Sequence, residues 1–122
     1  MIDHVSLPVR DLEAARAFYA AVLAPLGYAL LVTRPHTIGF GKKYPEVWMN
    51  LRPAHVPVAN SGAHLALRAP SEEAVRAFHA AALAAGGSCD GAPSPRRAEM
   101  TPYFGAFILD PDGNKIEAVA FP

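Results

Sequence analysis

The fold of this chain is decided by the segment HVSLPVRDLEAARAFYAAVLAPLG at residues 4–27, which recurs as HLALRAPSEEAVRAFHAAALAAGG at residues 64–87. The two segments align without a gap at a constant offset of 60 residues, and half of the aligned positions are identical. Such a recurrence indicates that one supersecondary unit occurs twice. His4 and His64 open the two copies, so we expect a duplicated strand to present a duplicated histidine.

The repeat divides one expected domain, residues 1–122, into two units of about residues 1–57 and 61–122. A chain of 122 residues is long enough for one ordinary domain. Each half alone is short for burying a sufficient core, so we expect neither unit to be stable by itself.

The charge pattern narrows the possible partners. The chain has 11 basic and 11 acidic residues, and its formal net charge is zero. Because the basic residues are scattered, the sequence predicts no nucleic-acid partner and no membrane partner, and a small-molecule ligand is expected. The single Cys89 excludes an intrachain disulfide and is interpreted as a loop residue. No signal-peptide pattern or long apolar run is present, which predicts a cytoplasmic protein.

Each copy begins with a predicted strand followed by a helix. Residues 2–9 alternate so that His4 and Ser6 share the face opposite the aliphatic residues, and residues 63–69 place His64 and Arg68 together in the same way. The predicted helices are capped by Asp11 in the first copy and by Ser71 in the second. The remaining predicted strands are 29–33, 37–41, 46–52, 100–109 and 115–121.

Two segments of the second unit have distinctive turn chemistry. DPDGN at residues 110–114 predicts a tight turn between two strands, since proline presets φ and Gly or Asn tolerates positive φ. Residues 88–99 are rich in Gly, Pro, Ser and Arg, which predicts a short strand at most. Within that segment Arg96 and Arg97 could close over a ligand, but they are interpreted as a solvated loop pair.

Three motifs resemble those of the vicinal oxygen chelate superfamily, which includes glyoxalase I, type I extradiol dioxygenases, fosfomycin resistance thiol transferases and bleomycin resistance proteins. They are Asp3-His4-Val5, Ala63-His64-Leu65 and the closing FILDPDGNKIE of residues 107–117. The resemblance covers essentially the whole chain. It implies an α+β fold of two tandem βαβββ units that form a cup-shaped, partly closed mixed sheet with helices outside.

The resemblance also implies a metal site, in which His4, His64 and Glu117 match the ligands of the family. The alternation of each strand agrees, because each of the three should project from the polar face of its strand. Two imidazoles and one carboxylate suit divalent Fe, Mn, Ni, Co or Zn, and three protein ligands leave positions open for a chelating substrate. Glu117 is also the candidate catalytic carboxylate.

One departure concerns the fourth ligand of glyoxalase I, a carboxylate on the last strand of the first unit. Aligning the ends of the two units puts Met49 opposite Glu117, with Trp48 and Asn50 beside it and Glu46 three residues away. Without a carboxylate in register, the set is more similar to the extradiol dioxygenases and the thiol transferases. Extradiol enzymes are usually twice this length, however, and the fosfomycin-binding residues are not recognisable.

Two classes of function follow from these features. The first is a small metal-dependent enzyme whose reaction class, lyase or isomerase, dioxygenase or transferase, stays open. The second is a non-enzymatic protein that sequesters a ligand or antibiotic, as bleomycin resistance proteins do. In either case the resemblance implies a homodimer that pairs its units within a chain or exchanges them between chains. The candidate substrate-binding residues are Tyr103, Trp48, Asn50, Arg52 and Arg68, and the histidines expected on a helix surface or in turns are His79, His36 and His55.

Overall fold

The computed structural model describes residues 1–97 and 101–122 and contains two βαβββ units, as predicted. The first unit consists of β1 (Val5–Val9), α1 (Leu12–Leu23) with a 3₁₀ turn (Ala24–Leu26), β2 (Ala29–Thr33), β3 (Thr37–Gly41) and β4 (Pro45–Leu51). The second consists of β5 (Leu65–Arg68), α2 (Glu72–Ala84), β6 (Ser88–Arg97), β7 (Pro102–Leu109) and β8 (Lys115–Ala120). The α+β class and the duplication are therefore confirmed.

The strands form two mixed four-stranded sheets with the same topology. The first has the order β1-β4-β3-β2 and the second has the order β5-β8-β7-β6. In each, the first strand of the unit runs parallel to the last, and the other pairs are antiparallel. Within the described residues no strand pairing joins one sheet to the other. Each unit therefore brings its opening and closing strands side by side.

The helices begin where the capping residues predict. Asp11 and Ser71 have extended backbones, and their side chains accept hydrogen bonds from the amides of Ala14 and Ala74. After α1, Gly27 closes the 3₁₀ turn with φ of 85°, a left-handed conformation that glycine adopts without steric cost. No helix of the described residues is long and apolar enough to cross a membrane.

One hydrophobic core spans both units. The two helices pack against each other, and each packs against the sheet of its own unit. The paired Phe18 and Phe78 of the repeat are both almost fully buried, together with Tyr19 and Phe40. Because the core is shared, the apolar faces of both units are buried only when the units are joined.

The DPDGN turn fastens the second unit to the first. The hydroxyl of Tyr19 donates to the buried carboxylate of Asp110, and the Asn114 amide donates to the carbonyl of Pro8 at 2.9 Å. Asp112 accepts from the backbone and side chain of Arg10 at 2.9 and 2.8 Å. Burial raises the pKa of Asp110, while its hydrogen bonds with Tyr19 and Asn114 oppose that rise. The turn is therefore a structural joint between the units.

The segment after α2 differs from its prediction, because β6 is ten residues long. It is an edge strand that pairs only with β7 in the described sheet, so Pro93 and Pro95 remove no hydrogen bond from a second neighbour. Register shifts near Gly91 absorb the irregular sequence. The other predicted strands agree to within two residues, except that the first begins at Val5, and the predicted start of β7 at Met100 lies outside the described residues.

Candidate metal and ligand site

The second sheet has one face that α2 does not cover, and we call it the open face. Glu117 pairs with Ala66 on one side and Phe107 on the other, while its neighbours Ile116 and Ala118 are buried in the core. Because side chains alternate along a strand, Glu117 must project away from the core. The strand register places the following residues on this face: His64, Ala66, Arg68, Ser88, Gly91, Ser94, Arg96, Tyr103, Gly105, Phe107, Leu109, Lys115, Glu117 and Val119.

His64, Glu117 and Tyr103 meet on the open face. His64 Nε2 lies 3.5 Å from Glu117 Oε1, and the Tyr103 hydroxyl donates to Glu117 Oε2 at 3.0 Å. The Glu117 side chain is only 5% exposed, whereas His64 is 39% exposed and contacts the Phe107 ring edge to face. Partial burial raises the pKa of Tyr103, and the hydrogen bond with Glu117 raises it further. Tyr103 is thus a protonated donor that fixes a buried carboxylate beside an accessible imidazole.

Gly105 provides the space for this arrangement and was missed by sequence reasoning. A Cβ atom at this position would lie 2.9 Å from Cε2 of Tyr103 and 3.3 Å from Oε2 of Glu117. A side chain here would therefore displace the hydrogen-bonded pair. The available signal was a glycine inside a predicted strand, which often marks a close approach of other groups.

His4 lies away from the pair formed by His64 and Glu117. Its side chain is 55% exposed, and its Nδ1 is 2.7 Å from Asp3 Oδ1 at the start of the first unit. In residues 1–97 and 101–122 no three His, Cys, Asp or Glu side chains form a group that could hold a metal ion. A single chain therefore brings together two of the three predicted ligands.

The register of the first sheet corrects the comparison with Glu117. Ser6 pairs with Trp48 just as its repeat partner Ala66 pairs with Glu117, so Trp48 is the equivalent residue. Met49 is fully buried and lies on the core side instead. Aligning the ends of the units was wrong by one residue, which reverses the face. Since Trp48 is not a carboxylate either, the first sheet still has no carboxylate at the position equivalent to Glu117.

The candidate substrate-binding residues are divided between the two sheets. Trp48 and Asn50 lie on the same face of the first sheet, where the Thr37 hydroxyl donates to the Asn50 amide oxygen at 2.7 Å. The exposed Arg52 follows β4 and donates to the Leu51 carbonyl. Arg68 and Tyr103 lie on the open face of the second sheet. A ligand that contacts all five residues must therefore lie between a first sheet and a second sheet.

Arg96 is not a solvated loop residue as predicted. It lies in β6 opposite Tyr103, where its Nε donates to the carbonyl of Gly105 at 3.1 Å and its Nη2 to the carbonyl of Ala92 at 3.0 Å. Its guanidinium also lies 5.0 Å above the centre of the Phe107 ring. Arg96 is therefore held as part of the open face, because β6 is longer than the sequence suggested.

The other histidines have varied surroundings. His36 is exposed, and His55 Nε2 is 3.3 Å from the carbonyl of Asp112. His79 was expected on the helix surface but is half-buried, and its Nε2 has no hydrogen-bond partner among the described residues. Burial lowers the pKa of His79. Of these three, His55 lines the same cavity as His64.

A cavity of about 300 Å³ adjoins His64 where the two units approach. Val5 and Leu7 line it from the first unit, and Leu65 and Lys115 line it from the second. The accessible side of His64 is thus beside a space of the size that a small molecule occupies.

The chain belongs to the Glyoxalase/Bleomycin resistance protein/Dioxygenase superfamily, whose family model matches residues 1–118. This membership agrees with the tandem βαβββ units.

Solved structures support the same placement. A glyoxalase/bleomycin resistance protein from Albidiferax ferrireducens T118 is 32% identical, with a TM-score of 0.86 over 97% of each chain. A family enzyme from Burkholderia phytofirmans PsJN is 21% identical, with a TM-score of 0.76 over 99% of this chain and 98% of that one. A fosfomycin resistance protein from Listeria monocytogenes is 18% identical, with a TM-score of 0.70 over 100% and 93%, and shares the fold. No protein of curated function matches the chain.

Proposed function

We propose that this protein is a small metal-dependent enzyme that acts on an oxygen-chelating substrate through His64, Glu117 and His4. The observation that carries the proposal is the convergence of His64 Nε2 and Glu117 Oε1, 3.5 Å apart, on the open face. A neutral imidazole and a carboxylate are suitable donors for Fe, Mn, Ni, Co or Zn in the divalent state. A buried charge is costly unless it is compensated, and a cation at Oε1 would add to the compensation that the Tyr103 hydrogen bond gives at Oε2.

The residues around this pair have supporting roles in the proposed site. Tyr103 holds Oε2 of Glu117, which leaves Oε1 on the side of His64. Hydrogen-bond partners of this kind orient the side chains that bind a metal, and their loss typically weakens metal binding by about 10- to 100-fold. Phe107 packs on the His64 ring and excludes water from one side. A bound divalent ion would act as a Lewis acid that stabilises negative charge on the chelated substrate.

The third ligand is proposed to come from a second copy of the chain. His4 belongs to the first unit, and no strand pairing joins the two sheets in the described residues. A homodimer that apposes the open face of one chain to the first sheet of the other would bring His4 to His64 and Glu117. The same apposition would bring Trp48 and Asn50 to the ligand and complete the cup.

Metal content and stability test the proposed site. The purified protein should bind divalent metal with a stoichiometry near one per chain, and a chelator should lower its melting temperature. His64→Ala should abolish the bound metal, whereas His36→Ala, in an exposed turn, should retain it. The proposal would be refuted if elemental analysis detects no metal in the protein and the chelator does not change its melting temperature.

A ligand-sequestering function is the second candidate, and the aromatic lining of the open face favours it. Tyr103, Phe107 and Phe121 form a set of partly accessible rings with cations placed over two of them. Phe104 is buried in the core and would not take part. A ligand that quenches Trp48 fluorescence equally in wild type and in His4→Ala would favour sequestration over metal-dependent catalysis.

A further inference from the structure

The open face carries more cationic than anionic side chains around the proposed metal site. Lys115 is paired with Asp90 at 2.9 Å, so its charge is already balanced. Arg68 and Arg96 remain, whereas Glu117 is the acidic residue of this face and adjoins His64. Adding a divalent ion would raise the positive charge further.

The two arginines flank the Tyr103–Glu117 hydrogen bond from different strands. Arg96 lies directly opposite Tyr103 in the pairing of β6 with β7. Arg68 lies on β5, with its guanidinium 4.5 Å over the ring of Phe121, and that ring is 5.8 Å from the ring of Tyr103. A molecule bound at Glu117 would therefore have guanidinium groups on two sides.

Arg96 is prepared to bind an anion without moving. Its contacts with the carbonyls of Gly105 and Ala92 use two of the five N–H donors of a guanidinium. The Phe107 ring supports the plane of the group from one side. A guanidinium whose rotamer is already fixed loses less entropy when it binds a carboxylate or phosphoryl group.

We infer that the site takes a small organic anion whose carboxylate or phosphoryl group is bound by the guanidinium of Arg96, with Arg68 adding to the positive field. This inference rests on the proposed function, because it names the substrate class of the same site. Carboxylate and phosphoryl substrates share an anionic oxygen, and we expect a second oxygen beside it that can chelate the metal. Arg96 is then a specificity residue, which contacts the substrate but leaves the metal ligands unchanged.

Calorimetric titration with matched probes tests the inference. Salicylate and salicylamide both carry adjacent oxygens but differ in charge, and 2-hydroxyphenylphosphonate keeps the hydroxyl of salicylate and replaces its carboxylate by a phosphoryl group. Wild-type protein loaded with Mn²⁺, and the same protein after metal removal, should bind one of the anions about tenfold more tightly than salicylamide. Whichever anion binds more tightly identifies the acidic group of the substrate class.

The variants separate Arg96 from general effects of charge and folding. Arg96→Gln should abolish the preference for the anion while salicylamide binding and metal content stay unchanged. Arg97→Gln is the matched control, since Arg97 is exposed and lies on the opposite face of β6. Should Arg96→Gln fail to fold, Arg96→Lys keeps the positive charge but lacks the parallel N–H donors of a guanidinium, so it should weaken anion binding severalfold.

The outcomes distinguish this inference from the proposed function. Equal binding of the anions and salicylamide, no binding of either kind, or a preference that survives both Arg96 substitutions would overturn the inference. Absence of bound metal with an intact Arg96-dependent preference would contradict only the proposed metal-dependent function.

Discussion

The division of the proposed ligands between the two units makes a strong prediction about mixed dimers. If units are exchanged between chains, each site combines His4 of one chain with His64 and Glu117 of the other. His4→Ala and Glu117→Gln should each abolish metal binding in homodimers. A heterodimer of the two variants has one site with both substitutions and one site with none, so it should recover one of its two sites.

The expected magnitude follows from random assortment. Equal amounts of the two variants give about half heterodimers, each with one intact site of two, so the mixture should bind about one quarter of the wild-type metal. The assay is elemental analysis of the variants after co-refolding, and purification through two different affinity tags should raise the value to about one half.

A matched pair of variants provides the control. His64→Ala and Glu117→Gln affect the same unit, so their mixture should recover no metal at any ratio. Failure of His4→Ala and Glu117→Gln to complement, while wild-type protein binds metal, would refute the exchanged arrangement. Pairing of the units within each chain predicts that failure.

Three further predictions concern single positions. Tyr19→Phe removes the hydroxyl that donates to buried Asp110 and should lower the free energy of unfolding by about 1–3 kcal/mol in urea titrations, whereas Tyr44→Phe, at an exposed site, should not change it. Burial raises the pKa of Asp110 above its ordinary value of 3.8. The contribution of Asp110 to stability is therefore greatest below pH 3.8 and declines as the pH rises through the pKa of the folded state. The stability advantage of wild type over Asp110→Asn should therefore shrink from acidic to neutral pH in denaturation curves, and an advantage that grows would contradict this. Gly105→Ala places a methyl group 2.9 Å from the Tyr103 ring and should weaken metal binding by about tenfold or more, and unchanged affinity in a competition titration would show that this hydrogen bond is dispensable.

Local sequence rules were sufficient for most of the fold. The alternation around His4 and His64 and the caps at Asp11 and Ser71 predicted where strands and helices occur, because these signals depend on neighbouring residues only. The strand β6 was missed since its prolines are acceptable only at a sheet edge, and edge position is a property of the assembled sheet.

The meeting of His64 with Glu117 was predictable from the sequence, but the register of the first sheet was not. Glu117 was placed correctly on a face opposite buried residues, and it does meet His64. Met49 was chosen instead of Trp48, because loop lengths differ between the units and a slip of one residue reverses the face. The role of Gly105 depends on contacts with Tyr103 across the sheet, which no local pattern contains.

The joint formed by the DPDGN turn bears on how proteins with this fold diverge. The side chains of Asp110, Asp112 and Asn114 hold the turn and the β1–α1 junction, and none of them lies on the open face. The residues of the open face can therefore change while these hydrogen bonds are kept. The motif by itself specifies how the two halves are joined and does not specify a reaction.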